Sequence, residues 1–475
     1  MKRSNAFFAG KSRETGRFDV IKSPFTGEAV SEVAVAGASD LDRAIQSASE
    51  ARQACRVLPA HARAAACDAV ARTLANDRES VARTIAEESG KPLRYARAEV
   101  ARAVTTFTLG AGVARTLGGE VMPADVAPGG EGRLLLYRRV PRGVVGAISP
   151  FNFPLNLAAH KLAPAIAVGA PLVLKPPHQS PSAGLLLAEL AAPHLPEGAV
   201  NALHAVPEVA EGLARDERIA VLSFTGSDAV GFRLKALAHK KQVLLELGGN
   251  APCIVDETAD LEDALPRIVE SCWANAGQVC IKAQRLFVHA RLFEEFVARF
   301  VAATRGLAVG DPLDEGTVVG PVIEARHVER VLGLVKDAVA AGARVLAGGQ
   351  ASGQVIEPTV LVDAGPELRV CRDEVFGPVT VLAPFRTFEE ALGLANDTRF
   401  GLQASLFTRD LARALGAFER LEYGGVLINE PPTFRSDNYP YGGTKDSGSG
   451  REGVRFAAEE YTEPRVLVLR GVERA

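Results

Sequence analysis

Charge of neither sign is in excess in this chain of 475 residues: 54 Lys and Arg stand against 57 Asp and Glu, a formal net charge of −3. That balance nominates no polyanionic partner, so no nucleic acid is expected to bind. Long apolar runs are missing too. No window approaches the roughly 18 uncharged apolar residues of a membrane span. Ala6-Phe7-Phe8-Ala9 after Met1-Lys2-Arg3 is too short for a signal peptide. The expectation is a cytoplasmic protein with no membrane partner. The six cysteines (Cys55, Cys67, Cys253, Cys272, Cys280, Cys371) form no C-x-x-C pair and no dense framework, which points to free thiols in a reducing compartment. Cys272 and Cys280 have no His pair nearby, and no metal site is expected. There is no internal repeat and no linker rich in Pro, Gly or Ser. What is present is the composition of an ordinary globular protein, 47% hydrophobic and 23% charged, in a chain too long for one core. Roughly two to four compact units are expected.

The chain reads as opening on a hairpin, with a strand at Val20 to Lys22, a Pro24-Phe25-Thr26-Gly27 turn and an alternating strand from Ala29 to Ala36. Ser39 is the expected N-cap of the first of several Ala-rich helices that run to Gly90 and read as scaffold. Leu134 to Val140 is a β-favouring run suited to an edge or an arm. Val144 to Ile148 and Pro171 to Lys175 are buried-strand patterns separated by a helical stretch from Leu157 to Val168. Ala220 to Phe224 and Gln242 to Leu247 continue the alternation, giving a doubly wound nucleotide-binding pattern. From Gly248 a second α/β unit is expected, with strands at Arg285 to His289 and Val379 to Leu382 and helices around Leu292 to Ala303 and Val328 to Ala341. Arg465 to Arg470 is an apolar strand near the chain end, expected to pair with another subunit because it is otherwise an aggregating edge.

Cys280 is the leading candidate for chemistry, placed after a small, flexible Ala-Gly turn. A thiolate is strongly nucleophilic when armed by its surroundings; a cysteine taken alone is as readily a small buried hydrophobe. Three islands accompany it. Ile148-Ser149-Pro150-Phe151-Asn152-Phe153-Pro154 pins an Asn between prolines after a strand, where its amide can donate to an oxyanion or simply close the turn. Thr225-Gly226-Ser227 offers backbone N–H groups and a hydroxyl to a phosphate at a helix N-terminus. Close behind it, Glu246 ends an apolar strand before Gly248-Gly249, where burial raises a carboxylate toward the range of a general base, and where a plain turn residue would also fit. The third island is Glu374-Val375-Phe376-Gly377-Pro378, in which Glu374 and Phe376 share a face if the segment is extended.

Together these islands, with Leu174-Lys175-Pro176, Gly277-Gln278-Val279-Cys280 and Pro440-Tyr441-Gly442-Gly443, resemble the aldehyde dehydrogenase superfamily through nearly the whole chain, in order and in spacing. The resemblance implies an α/β aldehyde dehydrogenase-like fold. A Rossmann-like cofactor domain would take 1–117 and 138–247, an α/β catalytic domain 248–445, and a β-arm 118–137 and 462–475, the arm building a homodimer or homotetramer. It implies NAD(P)-dependent oxidation of a small-molecule aldehyde to a carboxylic acid through a cysteine thiohemiacetal and thioester. In that scheme Cys280 attacks, Asn152 and the Cys280 N–H hold the oxyanion, and Glu246 activates the deacylating water. NAD or NADP would lie against Ile148, Ser149, Phe151, Lys175, His178, Gly226, Ser227, Leu247, Glu374 and Phe376.

Three departures from the family pattern qualify it. His178 stands where many NAD-using relatives carry a Glu that binds the adenosine ribose; an imidazole does not repel a 2′-phosphate, so NADP is expected to be accepted. Pro207 replaces a usual glycine and is expected to reroute its connection. Asn156 and His160, an i,i+4 pair, together with Arg435 suggest a small polar or anionic aldehyde, as in the lactaldehyde and semialdehyde-oxidising branches. Alternatives are a CoA-acylating dehydrogenase, against which Glu246 speaks, and a catalytically silent binding or structural protein of the same fold.

Overall fold

The computed structural model describes residues 2–471. Two open sheets carry it. The first has eight strands, in the order Gly448–Ser449, Gln242–Glu246, Ile219–Thr225, Val144–Ile148, Leu172–Lys175, Val200–Ala202, Ala6–Phe8, Lys11–Arg13. Its five central strands, from Gln242–Glu246 to Val200–Ala202, are parallel. They are buried on both faces, as the helices covering a parallel sheet require. The second sheet runs Arg344–Ala347, Thr359–Val362, Val379–Phe385, Ala283–His289, Ala251–Val255, Gln403–Phe407, Gly425–Ile428. It is parallel except at its first pair. Four residues, 247–250, join the last parallel strand of one sheet to the strand Ala251–Val255 of the other.

The third sheet is the arm: Thr462–Arg470 pairs antiparallel with Arg133–Pro141 over nine residues, and Gly119–Met122 flanks the other side. The terminal strand thus pairs with its own chain along one edge, and the pairing with another subunit that the sequence suggested would fall to the other edge. Its outer edge stays open, and Val466, Leu467, Val468 and Leu469 are exposed.

Local chemistry corrects other expectations. Three short strands, Lys2–Ser4, Ala6–Phe8 and Lys11–Arg13, precede the hairpin of Phe18–Lys22 with Ala29–Ala34, so the hairpin does not open the protein. Ser39 lies inside the helix Ala38–Val57; Gly37 is the cap, its N–H satisfied by Asp40 Oδ2 at 3.0 Å. Pro207 starts the short helix Pro207–Ala210, where a missing N–H costs nothing because the first-turn donors have no helical acceptor.

Candidate active site

The loop after the Val144–Ile148 strand is tied at its exit by a buried ion pair that sequence reading overlooked. Lys91 bonds Glu99, and Glu99 Oε1 accepts from the N–H groups of Leu155 at 2.8 Å and Asn156 at 3.1 Å. A carboxylate at this place satisfies orphan donors of the helix Asn156–Val168 and meets the positive end of its dipole. Lys91 Nζ also lies 3.8 Å from the centroid of the Phe153 ring. In the loop so held, the buried Asn152 amide donates to the Gln278 carbonyl at 3.0 Å. Its second N–H has no partner among the described residues.

That carbonyl belongs to the turn that presents Cys280. After the helix Leu261–Trp273, the residues Asn275, Ala276 and Gly277 take φ of 52°, 54° and 67° in succession. At Ala276 the left-handed conformation costs about 1–2 kcal/mol. At Gly277 a Cβ would fall 2.3 Å from the Gly377 carbonyl oxygen, so only glycine fits. Gln278 locks the turn: its Nε2 donates to the carbonyls of Asn275 at 3.2 Å and Pro321 at 3.3 Å, and its Oε1 accepts from Ile323 at 2.9 Å. Three hydrogen bonds thus fasten a turn whose composition read as flexible. Gly249, in the link between the sheets, packs so tightly that a Cβ there would lie 2.2 Å from the Cys280 carbonyl oxygen.

Cys280 is half-buried, its Sγ 3.4 Å from the Tyr441 hydroxyl. Burial pushes the thiol up to about 11, and the Tyr441 contact offsets only part of that. Glu246, at the end of its strand, is buried with Oε2 lacking any partner among the described residues. Burial first, then the charge of Glu452, raise its carboxyl well above the ordinary range. Glu452 is opposite in behaviour: against the cost of burial, Lys161 and Arg435 hold it down to about 2. Lys161 Nζ reaches Glu452 at 3.1 Å, Ser223 at 3.0 Å and Thr225 at 2.8 Å.

Cys280, Glu246, Asn156, Arg435, Glu452 and Tyr441 line one cavity of about 230 Å³, with Arg102, Phe153 and Leu157. The Arg435 side chain is only 7% exposed, its guanidinium 3.7 Å from the Tyr441 ring centroid and bonded to Glu452 at 3.1 Å. Asn156 accepts from Thr106 at 2.9 Å and leaves its Nδ2 buried and unpartnered. His160 does not line the cavity. It lies fully buried behind it, with Nε2 2.8 Å from Asp437 Oδ1, and Asp437 in turn receives Arg102 at 2.6 Å. The helix Asn156–Val168 is buried on every side, so sharing a face with Asn156 does not bring His160 to the substrate. Arg102, on the helix Leu93–Thr116 that reads as scaffold, is the cavity cation that local pattern missed.

The residues singled out for a cofactor follow the carboxyl ends of the first sheet, where the strand order reverses around Val144–Ile148, the usual place for a dinucleotide. Ile148 pairs with Lys175, the last residue of its strand; burial lowers the Lys175 ammonium to about 8. Ser227 caps the helix Asp228–Leu237 without spending its side chain, which leaves that hydroxyl and the first-turn N–H groups for a diphosphate. The Gly226 N–H is used by Glu246 O at 3.0 Å. Ser149 Oγ and His204 Nδ1 are buried and orphaned, as atoms awaiting a polar ligand are. Leu247 packs its side chain into the core. Glu374 Oε1 accepts from the Gly249 N–H at 3.0 Å, and burial raises its carboxyl to about 7. The segment is not extended: Phe376 has φ 44°, so Glu374 and Phe376 do not share a strand face. Phe376 instead meets the Phe151 ring edge-on at 5.9 Å. These residues fit a nicotinamide dinucleotide. Among the described residues no helix is long and apolar enough to cross a membrane.

Residues 10–467 match the aldehyde dehydrogenase family. The chain is 39% identical to 3-sulfolactaldehyde dehydrogenase of Priestia megaterium over 471 residues, covering 99% of this chain and 98% of that one. Among solved structures, aldehyde dehydrogenase 21 from Physcomitrella patens, in complex with the reaction product succinate, superposes with a TM-score of 0.98 at 42% identity, over 99% of each chain. Glyceraldehyde-3-phosphate dehydrogenase from Methanocaldococcus jannaschii, complexed with NADP, gives a TM-score of 0.92 at 36% identity, over 96% of this chain and 99% of that one.

Proposed function

The chain belongs to the aldehyde dehydrogenase family, is an NAD(P)-dependent aldehyde dehydrogenase, and, we propose, oxidises a short anionic aldehyde to the acid by thioester hydrolysis. Cys280 attacks the aldehyde carbon as a thiolate. The free N–H of the Asn152 amide and the Cys280 N–H hold the oxyanion that forms. The nicotinamide dinucleotide, when bound, would supply the hydride acceptor. Asn152, fixed through Gln278, keeps its donor on the reacting centre throughout, because the carbonyl it grips belongs to the nucleophile's own turn. Glu246 takes the proton from the water that cleaves the thioester, releasing the acid and the free thiol. Its burial makes it a stronger base than an ordinary carboxylate once ionised. Lys175, Ser227 and Glu374 would hold the dinucleotide through its adenosine ribose, diphosphate and nicotinamide ribose.

One observation carries the substrate class. Two guanidiniums, Arg102 and Arg435, line the cavity with the carboxylates of Glu246, Glu270 and Glu452, and Glu246 is held toward its neutral form. Arg102 is bonded to Asp437 and Arg435 to Glu452, and the N–H groups left on either guanidinium suit one anionic group on the substrate. The cavity, about 230 Å³, lies below the roughly 300–1,000 Å³ of drug-sized pockets and admits only a short chain. The relatives above are named for sulfolactaldehyde and glyceraldehyde-3-phosphate, and one holds succinate; all three are acidic.

The test is an aldehyde panel read by NAD(P)H absorbance. Carboxylated, sulfonated and phosphorylated aldehydes are set against neutral alkanals of equal length, with Arg102→Leu and Arg435→Leu beside the wild type. The best anionic aldehyde is expected to exceed its neutral counterpart by about tenfold or more in kcat/KM, a difference of about 1.4 kcal/mol, and the variants to erase that margin. Equal rates on neutral and anionic aldehydes would sink the proposal.

A further inference from the structure

The corner between the helices Arg78–Ser89 and Leu93–Thr116 buries two opposite charges. Lys91 and Glu99 bond one another, and neither side chain is exposed. Neither lines the substrate cavity. A buried ion pair is weak evidence for stability, since desolvation offsets most of its attraction. What the pair holds in place is the better guide to its use, and that is the Asn152 loop. Glu99 Oε1 takes the N–H groups of Leu155 and Asn156, and Lys91 Nζ lies over the Phe153 ring, so three of the four residues after Asn152 rest on the pair.

The same corner bears on the turn that receives the Asn152 amide. Gly90 has φ 70°, and a Cβ there would fall 2.5 Å from Pro321 Cγ; a Cβ on Gly320 would fall 2.5 Å from the Gly90 carbonyl oxygen. Just past the corner, the Leu93 N–H donates to the Pro312 carbonyl at 2.8 Å. Pro321 in turn accepts from Gln278 Nε2, and the Gln278 carbonyl accepts from Asn152. The contacts close a ring through Asn152, Gln278, Pro321, Gly90, Lys91 and Glu99, and back through the start of the helix Asn156–Val168. A donor held in a closed ring keeps one direction, as the stabilisation of an oxyanion demands.

Resting on the reading of Asn152 as oxyanion donor, we propose that Glu99 is a positioning residue for that donor, oriented in turn by Lys91. Glu99 acts on where the free Asn152 N–H points and leaves the reactivity of the Cys280 sulfur alone.

Two reagents separate these effects without aldehyde or dinucleotide. With 4-nitrophenyl acetate, Cys280 Sγ bonds to the acetyl carbon through a tetrahedral oxyanion before 4-nitrophenolate leaves; with iodoacetamide, Sγ displaces iodide from a saturated carbon and no oxyanion forms. Acylation is read by 4-nitrophenolate absorbance, alkylation by mass spectrometry of the Cys280 peptide, and the fold of each variant by circular dichroism. Lys91→Met with Glu99→Leu removes the acceptor without stranding a buried charge, and should slow acylation by about 10²-fold while alkylation stays within about twofold of wild type. Glu99→Asp, a milder change that draws the acceptor back, should slow acylation by about tenfold, again with alkylation unchanged. Lys91→Met with Glu99→Gln, which keeps an oxygen for the Leu155 and Asn156 N–H groups, should restore acylation to within about threefold of wild type. In an Asn152→Ala background none of these changes should slow acylation further. A folded variant that loses acylation and alkylation alike, or losses that multiply in the Asn152→Ala background, overturns the proposal. Wild-type acylation in Asn152→Ala itself overturns the oxyanion reading on which it rests.

Discussion

Glu246 and Cys280 face one another across the cavity in states that neither can keep during turnover. Both are held toward the protonated form by burial, the thiol at about 11 and the carboxyl well above its ordinary value. The sign for catalysis follows. A base whose pKa is raised is lost as pH falls through the raised value, so hydrolysis of the thioester should climb with pH across a range where an ordinary glutamate is already fully ionised. Steady-state kcat is therefore expected to rise from about pH 5 upward, and Glu246→Gln to release about one equivalent of NAD(P)H per site in a burst before turnover slows by about 10²–10⁴-fold. A flat kcat profile, or a Gln variant without a burst, would remove Glu246 from that role. The sequence nominated Cys280, Asn152 and Glu246, here proposed as nucleophile, oxyanion donor and base, because each lies at a strand or turn end within three residues of glycine or proline. It hid Arg102 and Glu99, and it offered His160 for the substrate without its partner, since such partners lie far along the chain: Arg102 meets Asp437 across 335 residues. Local periodicity carries no record of such a pairing. Nor does it separate a helix face toward a cavity from one toward the interior when, as in Asn156–Val168, every side is buried.

Among the elements, the short connections set the geometry. The strand after Cys280 and the helices beyond it follow from apolar patterning and were readable to within a few residues, whereas the strand Ala251–Val255 and the helix Leu261–Trp273 were not named; the three successive left-handed residues before Cys280 were not readable either, because composition says which residues tolerate that conformation and not which adopt it. The same holds for Glu374 and Phe376, whose turn replaced the expected strand. One close constraint on the nucleophile is Gly249 against the Cys280 carbonyl. Gly249→Ala is expected to lower kcat by about 10²-fold by shifting the nucleophile some fraction of an ångström. Thermal unfolding should stay cooperative, with its midpoint displaced by only a few degrees. Wild-type kcat in this variant would mean that the turn yields and that its rigidity is immaterial.

Over the whole molecule, two parallel sheets carry the site between their carboxyl ends, and a third sheet stands apart with its edge unpaired. The open Thr462–Arg470 edge and the exposed Val466 and Val468 are a liability in a monomer. The chain is expected to sediment as a dimer or tetramer, and the double change Val466→Asp with Val468→Asp to yield smaller species in analytical ultracentrifugation; an unchanged mass would exclude the arm as the contact. The link at 247–250 bears on traffic through the enzyme. Four residues span at most about 14 Å even when fully drawn out, and here Glu374 and the Cys280 carbonyl hold the middle of that span. A clamshell opening of the two halves would have to break that hydrogen bond and part the packing at Gly249. A passage that leaves the link intact would bring the aldehyde in and let the acid out past Arg102 and Arg435, which line the cavity.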